Sequence, residues 1–209
     1  MALQINQRAV SMFRTISGVF ALVAFAASLW LFAADALATR SATVGQAAQV
    51  GLVRGDLWSL AALVEARALP APAADLSSQE RKTADTVREL AARAASYAPI
   101  RARTWLLLAR VAAEPAQRVE FLRMSYLTGQ NDLSLVPQRL TLATRLPSSD
   151  PMLADFTALE IQTLLRRAPA FKGAIANAHK TANADGKALI EKTLETFDPP
   201  LLATIRAAQ

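Results

Sequence analysis

The sequence predicts an all-α protein in which a single N-terminal transmembrane helix is followed by a bundle or short solenoid of helical hairpins. Three observations carry this. Thr15 to Ala34 is a run of twenty residues without a charge. Beyond it, apolar residues recur every three or four positions, which is the period of a helix with one buried face. No stretch alternates with period two over the length of a strand, so no sheet is expected.

At about 1.5 Å per residue, twenty helical residues cover roughly 30 Å, the thickness of a bilayer's hydrocarbon core. Ile16, Val19, Phe20, Leu22, Val23, Phe25, Leu29, Leu31 and Phe32 fill the run, with Trp30 near its end, where indoles favour the membrane interface. Arg8, Arg14 and the amino terminus precede the run and Arg40 follows it. That bias places the N-terminus in the cytoplasm and the rest of the chain outside it, in a bacterium the periplasm. The predicted division is therefore residues 1–14 cytoplasmic, 15–38 spanning and 39–209 an extracytoplasmic helical domain. Ala36-Leu37-Ala38 also matches a signal-peptidase site that would release a soluble chain beginning at Thr39. The apolar run is longer than the roughly 7–15 residues of a signal sequence, which favours an uncleaved anchor. Ser17, Ala21, Ala24 and Ser28 form a stripe of small residues along one face, suited to close packing against a second transmembrane helix.

Past the membrane, Val44 to Leu69 reads as one helix, with Val50, Val53, Leu57, Leu60, Leu63 and Val64 on its apolar face, stopped by Pro70-Ala71-Pro72. Ser77 or Ser78 caps a helix running to about Tyr97, with Glu80 in its first turn and only a thin apolar stripe. Arg101 to Ala113 and the helix opened by Pro115 form a hairpin that ends at Gly129. A helix from about Leu133 to Leu146 ends at Pro147. Ser149-Asp150-Pro151 caps and opens the next, through Leu165. Pro169 starts a short helix to about Ala178, Asp185 or Gly186 begins another through Phe197, and Pro199-Pro200 starts a last turn or two.

Trp105-Leu106-Leu107-Leu108-Ala109 and Arg139-Leu140-Thr141-Leu142-Ala143 stand 34 residues apart, the tetratricopeptide period. The order Trp105, Leu108, Ala109 resembles the first-helix pattern W-x2-L-G of that family, with alanine in place of glycine. The resemblance covers about residues 100–165 and is degraded: Ala112 stands where the family has tyrosine, and Arg139 where it has tryptophan. It implies a binding scaffold whose concave face holds a peptide or a partner protein, and it brings no catalytic residues.

Composition narrows the chemistry. There is no cysteine and one histidine, His179, which excludes disulfides, thiolate metal sites and a cysteine nucleophile and leaves a triad or helical zinc site without its histidines. His179 reads as a surface or C-terminal-turn histidine favoured by the helix dipole. No phosphate-binding glycine motif or nucleophile elbow is present. Glu191 and Glu195, interleaved with Lys187 and Lys192, have the pattern of a solvated helix face. No enzyme and no cofactor are expected. Of 209 residues 53% are hydrophobic, about a fifth of the whole being alanine, and the net charge is +6, with a pI near 10.3. The excess is arginine: Arg101, Arg103, Arg110, Arg118 and Arg123 suit a basic surface for anionic lipid, acidic polysaccharide or an acidic partner. The extracytoplasmic placement and the lack of a binding motif speak against nucleic acid.

These readings converge on a bacterial inner-membrane scaffold or assembly protein that works by protein–protein contact, with a groove expected around Trp105, Arg110, Arg118, Tyr126 and Arg139. A soluble binding module released before Thr39, or an accessory subunit that contacts its partners through the transmembrane stripe, are the competing readings.

Overall fold

The computed structural model describes residues 2–70, 77–146 and 150–208, with side chains from residue 11 onward. All regular structure among them is helical: α1 Ala2–Ala38, α2 Val44–Val50, α3 Gly55–Ala66, α4 Ser78–Tyr97, α5 Ala102–Val111, α6 Pro115–Thr128, α7 Val136–Ala143, α8 Pro151–Arg167, α9 Lys172–Thr181, α10 Ala184–Phe197 and α11 Pro199–Ala207. Short 3-10 turns precede α2, α7 and α9.

Helix α1 contains a 28-residue stretch, Ser11–Ala38, of mean hydropathy 2.2, long and apolar enough to cross a membrane. The helix does not begin at residue 15, because nothing around Arg8 or Arg14 breaks it. Its large side chains stay exposed through Phe32, then Ala34 is fully buried and Leu37 and Ala38 pack against α2 and α3. The last turn of the apolar helix is thus already part of the core that follows.

The helix expected over Val44–Leu69 is two helices. Gly51 N–H closes α2 on the Ala47 carbonyl at 2.8 Å. In an unbroken helix the Val50 and Leu52 carbonyls would accept from amides four residues on. Here the Trp30 indole donates to Val50 O at 2.6 Å and the Trp58 indole to Leu52 O at 2.9 Å, so the chain turns and restarts at Gly55. Gly55 sits where a Cβ would press on Ala98 at 2.7 Å, which brings the start of α3 against the end of α4. The capping box expected at the start of α4 forms: Ser77 Oγ accepts from Glu80 N–H at 3.3 Å and Glu80 Oε2 from Ser77 N–H at 2.7 Å.

The hairpin α5–α6 has the predicted bounds within a residue or two, with Pro115 in the first turn of α6 and Gly129 just past its end. The stretch Leu133–Leu146 divides into a 3-10 turn, Leu133–Leu135, and α7. Pro137 lacks an amide hydrogen and can sit only in a first turn, so the α-helix starts there. Asp150 caps α8 by accepting from Leu153 N–H at 2.9 Å. Ser149 and Pro147, expected at this junction, and Ala71-Pro72 after α3 lie outside the described residues. Asn183, rather than Asp185 or Gly186, caps α10, accepting from Gly186 N–H at 2.7 Å. Its amide also donates to the Arg145 and Leu146 carbonyls at 3.1 and 3.0 Å, fastening α10 to the end of α7.

Consecutive helices α3, α4, α5 and α6 pack side by side, and α3 with α5 and α5 with α7 also touch, so alternate helices share one face. Apolar clusters run along the stack: α1–α2–α3, α3–α4–α5, α5–α6–α8, and a closing cluster around Leu140, Ile161, Ile175, Ile190 and Leu194 that joins α7 to α11.

Candidate functional site

Helices α3, α5 and α7 line an open groove of about 540 Å³. Its floor is apolar, with Leu60, Leu63, Leu106, Leu107 and Leu142, and its rim carries Arg67, Arg103, Arg110 and Arg145, with no acidic residue among the described lining residues. Among the described residues none of these four guanidiniums is paired with a carboxylate. Arg110 donates to the Leu69 and Pro70 carbonyls at 2.6 and 3.2 Å, Arg103 to Ser134 Oγ at 3.0 Å, and Arg145 to the Thr181 carbonyl at 3.1 Å. Half-burial lowers the pKa of Arg110, although an arginine remains charged. A neighbouring cavity of about 570 Å³ shares Leu60, Leu63 and Arg103 and includes Asp56 and Asp132. Both acids are engaged, Asp56 with Arg54 at 2.7 Å and Asp132 with Ser134 at 2.6 Å.

A separate cavity of about 430 Å³ has Tyr126 and Glu160 in its wall and Gln130, Asn131, Arg166 and Arg167 among its lining residues. Glu160 on α8 forms an ion pair with Arg139 on α7 and accepts from Tyr126 Oη on α6 at 3.2 Å. Arg139 has no exposed surface and Tyr126 only 2%. The Arg139 guanidinium also lies 4.9 Å from the Tyr126 ring centre and donates to Gly129 O at 2.7 Å and Ser125 O at 3.4 Å. Those are carbonyls at the C-terminal, negative end of α6, where a cation is favoured. Burial pushes the Glu160 carboxyl up to about 7, and the Arg139 charge and the phenol pull it back only in part. Burial likewise raises the Tyr126 phenol well above its ordinary value. This cluster joins three helices. Both Glu160 oxygens are occupied within it, so it presents no free base.

Of the five residues expected to share a groove, Tyr126 and Arg139 come together in this buried cluster, and Arg110 stands on the rim of the α3–α5–α7 groove. Trp105, half-buried, donates its indole hydrogen to Pro99 O at 2.6 Å and stacks on Phe121 with ring centres 6.0 Å apart. Arg118 donates to Ala112 O at 2.9 Å. The stripe Ser17, Ala21, Ala24 and Ser28 is exposed on α1, with Ser28 Oγ donating to Ala24 O at 2.8 Å.

Arg118 is one of five arginines that satisfy carbonyls at the ends of other helices. Arg88 takes Val111 O at 2.8 Å, and Arg110, Arg139 and Arg145 take those already described. Helix C-termini leave carbonyls without intrahelical partners, and a guanidinium supplies both hydrogen bonds and the favoured charge. Sequence reading missed Glu160. The signal that could have found it is the apolar spacing of Leu153, Phe156, Ile161 and Leu164, which places the same face of α8 inside.

The lone histidine is also corrected. His179 lies in the last turn of α9 as expected, yet it is 1% exposed, with Nε2 2.9 Å from Glu191 Oε1, and Glu191 in turn pairs with Arg206. Glu191 is therefore a bridge between α9 and α11 more than a solvated residue, and Arg206, then His179, hold its carboxyl below the usual range. Among the described residues no three His, Cys, Asp or Glu side chains gather closely enough to hold a metal ion.

Comparison with protein-family models, with curated proteins and with solved structures finds no match.

Proposed function

We propose that the protein is a membrane-anchored helical scaffold of the bacterial cell envelope, N-terminus in the cytoplasm and helical domain in the periplasm. On this reading it catalyses no reaction and holds an acidic, partly apolar segment of a partner protein in the α3–α5–α7 groove. The observation that carries the reading is the groove: four arginines that, among the described residues, have no carboxylate partner, over a leucine floor. A segment alternating acidic and apolar side chains complements both features, and charge complementarity gives such contacts their specificity. The tetratricopeptide-like reading belongs to the same proposal, since alternate helices line one face. The anchor raises the groove's effective concentration near membrane-bound partners.

Retention of the anchor is supported by what cleavage before Thr39 would remove. Ala34, Leu37 and Ala38 cover the apolar side chains of α2 and α3, and Asp35 pairs with Arg54 at 2.6 Å. A chain beginning at Thr39 would expose Val44, Ala47 and Ala48, which the structure buries.

Fluorescence anisotropy on the full chain in detergent tests the groove with three labelled decapeptides, alternating Glu/Leu, Gln/Leu and Lys/Leu. The Glu/Leu peptide should bind best, and Arg103→Glu with Arg145→Glu should weaken it at least about tenfold, or 1.4 kcal/mol. Equal binding of the three peptides, or no effect of the charge reversal, would refute the reading.

A further inference from the structure

The turn between α2 and α3 carries two largely exposed apolar side chains: Leu52 is 60% exposed and Val53 62%. Position gives them meaning. The Trp30 indole on α1 donates to the carbonyl of Val50, which fixes this turn beside the last stretch of α1 that is still exposed and apolar. Trp30 precedes Asp35 by five residues, roughly 7–8 Å along a helix. Arg54, directly after the turn, binds Asp35 at 2.6 Å and Asp56 at 2.7 Å. The charged clamp therefore marks one level along α1, while the Val50 end of the turn is held at the level of Trp30, toward the middle of the apolar stretch. Backbone entering an apolar medium needs its polar groups satisfied within the protein. Three carbonyls of this turn are: Val50 O accepts from Trp30, Gly51 O from Arg54 N–H at 2.6 Å, and Leu52 O from Trp58.

We propose that the Leu52-Val53 turn dips into the interfacial region of the same bilayer that α1 spans, beside Trp30, so that the domain is held against the membrane at two points rather than swinging on one helix. The occupant of this apolar surface is lipid because the turn is bonded at Val50 to Trp30, which lies on the exposed apolar flank of the spanning helix. The inference rests on the reading of α1 as a membrane span.

The chain has no cysteine, so single nitroxide labels can be placed without background. Full-length Phe25→Cys, Leu52→Cys, Val53→Cys and Gln117→Cys variants, labelled in nanodiscs of phosphatidylethanolamine and phosphatidylglycerol, would be compared by power saturation against oxygen and a water-soluble nickel chelate. The label at position 25 should be rich in oxygen and shielded from nickel, and that at 117, exposed on α6, the reverse. Labels at 52 and 53 should show nickel accessibility several-fold below that at 117, with oxygen accessibility retained. Nickel accessibility at 52 and 53 equal to that at 117, with position 25 in lipid, would overturn the inference while leaving the span intact. Shielding of 52 and 53 from both reagents would place the turn against protein and overturn it as well. A label at 25 that behaves as though in water would instead remove the span, and the inference with it.

Discussion

Glu160 and Arg139 form a buried pair, yet the structure predicts that the two are not equally needed. Burial sets the Glu160 carboxyl at about 7, so near neutrality it is held about half protonated. Arg139 cannot shed its charge, and that charge is met independently by the end of α6 and the face of Tyr126. Glu160→Gln imitates the protonated acid: its amide oxygen faces Arg139 and its amide nitrogen reaches Tyr126 Oη. The expected cost below about pH 4.5, where the acid is protonated both folded and unfolded, is under about 1 kcal/mol, the scale of one ordinary hydrogen bond. Arg139→Met removes donors to Glu160, Gly129 and Ser125 together, at about 1 kcal/mol or more each, for a loss of about 3–4 kcal/mol. At 2–4 °C per kcal/mol that is roughly 10 °C in Tm. The pH dependence follows from the raised pKa. Unfolded, the carboxyl titrates near 4.5, so its contribution is complete below that value and is lost as pH rises through about 7. A displacement of that size amounts to about 3 kcal/mol. The native protein should therefore lose ground against Glu160→Gln between pH 5 and 8, with the variant equal or superior at the upper end. Thermal and urea unfolding of the full chain in detergent, followed by tryptophan fluorescence and circular dichroism, measures both. If Glu160→Gln costs as much as Arg139→Met at pH 7, in the 3–5 kcal/mol range of a broken buried ion pair, Glu160 is fully ionised and the reasoning fails.

Two further perturbations separate close packing from local capping. Gly186→Ala should cost about 2–3 kcal/mol or more, because its Cβ would overlap the Thr144 carbonyl where α10 meets α7; a Tm unchanged within 2 °C would show that the two helices can part. Ser77→Ala removes one half of an exposed capping box and should cost only about 1 kcal/mol, read as a shift of a few degrees, with amide exchange accelerating first in the initial turns of α4.

Much of this fold was legible because its punctuation is local. Pro115, Pro151, Pro169 and Pro199 open helices where a missing amide hydrogen costs nothing, and the Ser77–Glu80 box names its own helix start. What escaped was set by distant partners. The break after Val50 depends on indoles at Trp30 and Trp58, 20 and 6 residues from the carbonyls they take, and no periodicity over Val44–Leu69 reports it. The burial of His179 likewise depends on Glu191 in the next helix. In the site, Arg110 and Tyr126 stood out by type; the spacing on α8 could have placed Glu160 inside, but its partners Tyr126 and Arg139 became visible only once α6, α7 and α8 converged on it.

The arginine excess shows how such a reading sharpens. A basic surface was expected over the α5–α6 hairpin, but Arg118 is spent on Ala112 O, and Arg123 lies near Glu120 and Asp150 at 3.4 and 3.5 Å. In a stack of short helices each added helix end brings carbonyls that need donors, so arginine count rises with helix count without any ligand being involved. Capping alone does not account for the groove, because among the described residues the guanidiniums of Arg67 and Arg103 take no helix-end carbonyl and stand exposed on its rim. After the helix ends are satisfied, Arg67 and Arg103 still leave basic character where α3, α5 and α7 leave their leucines open, and it is this pairing of charge with apolar surface that the proposed acidic partner would meet.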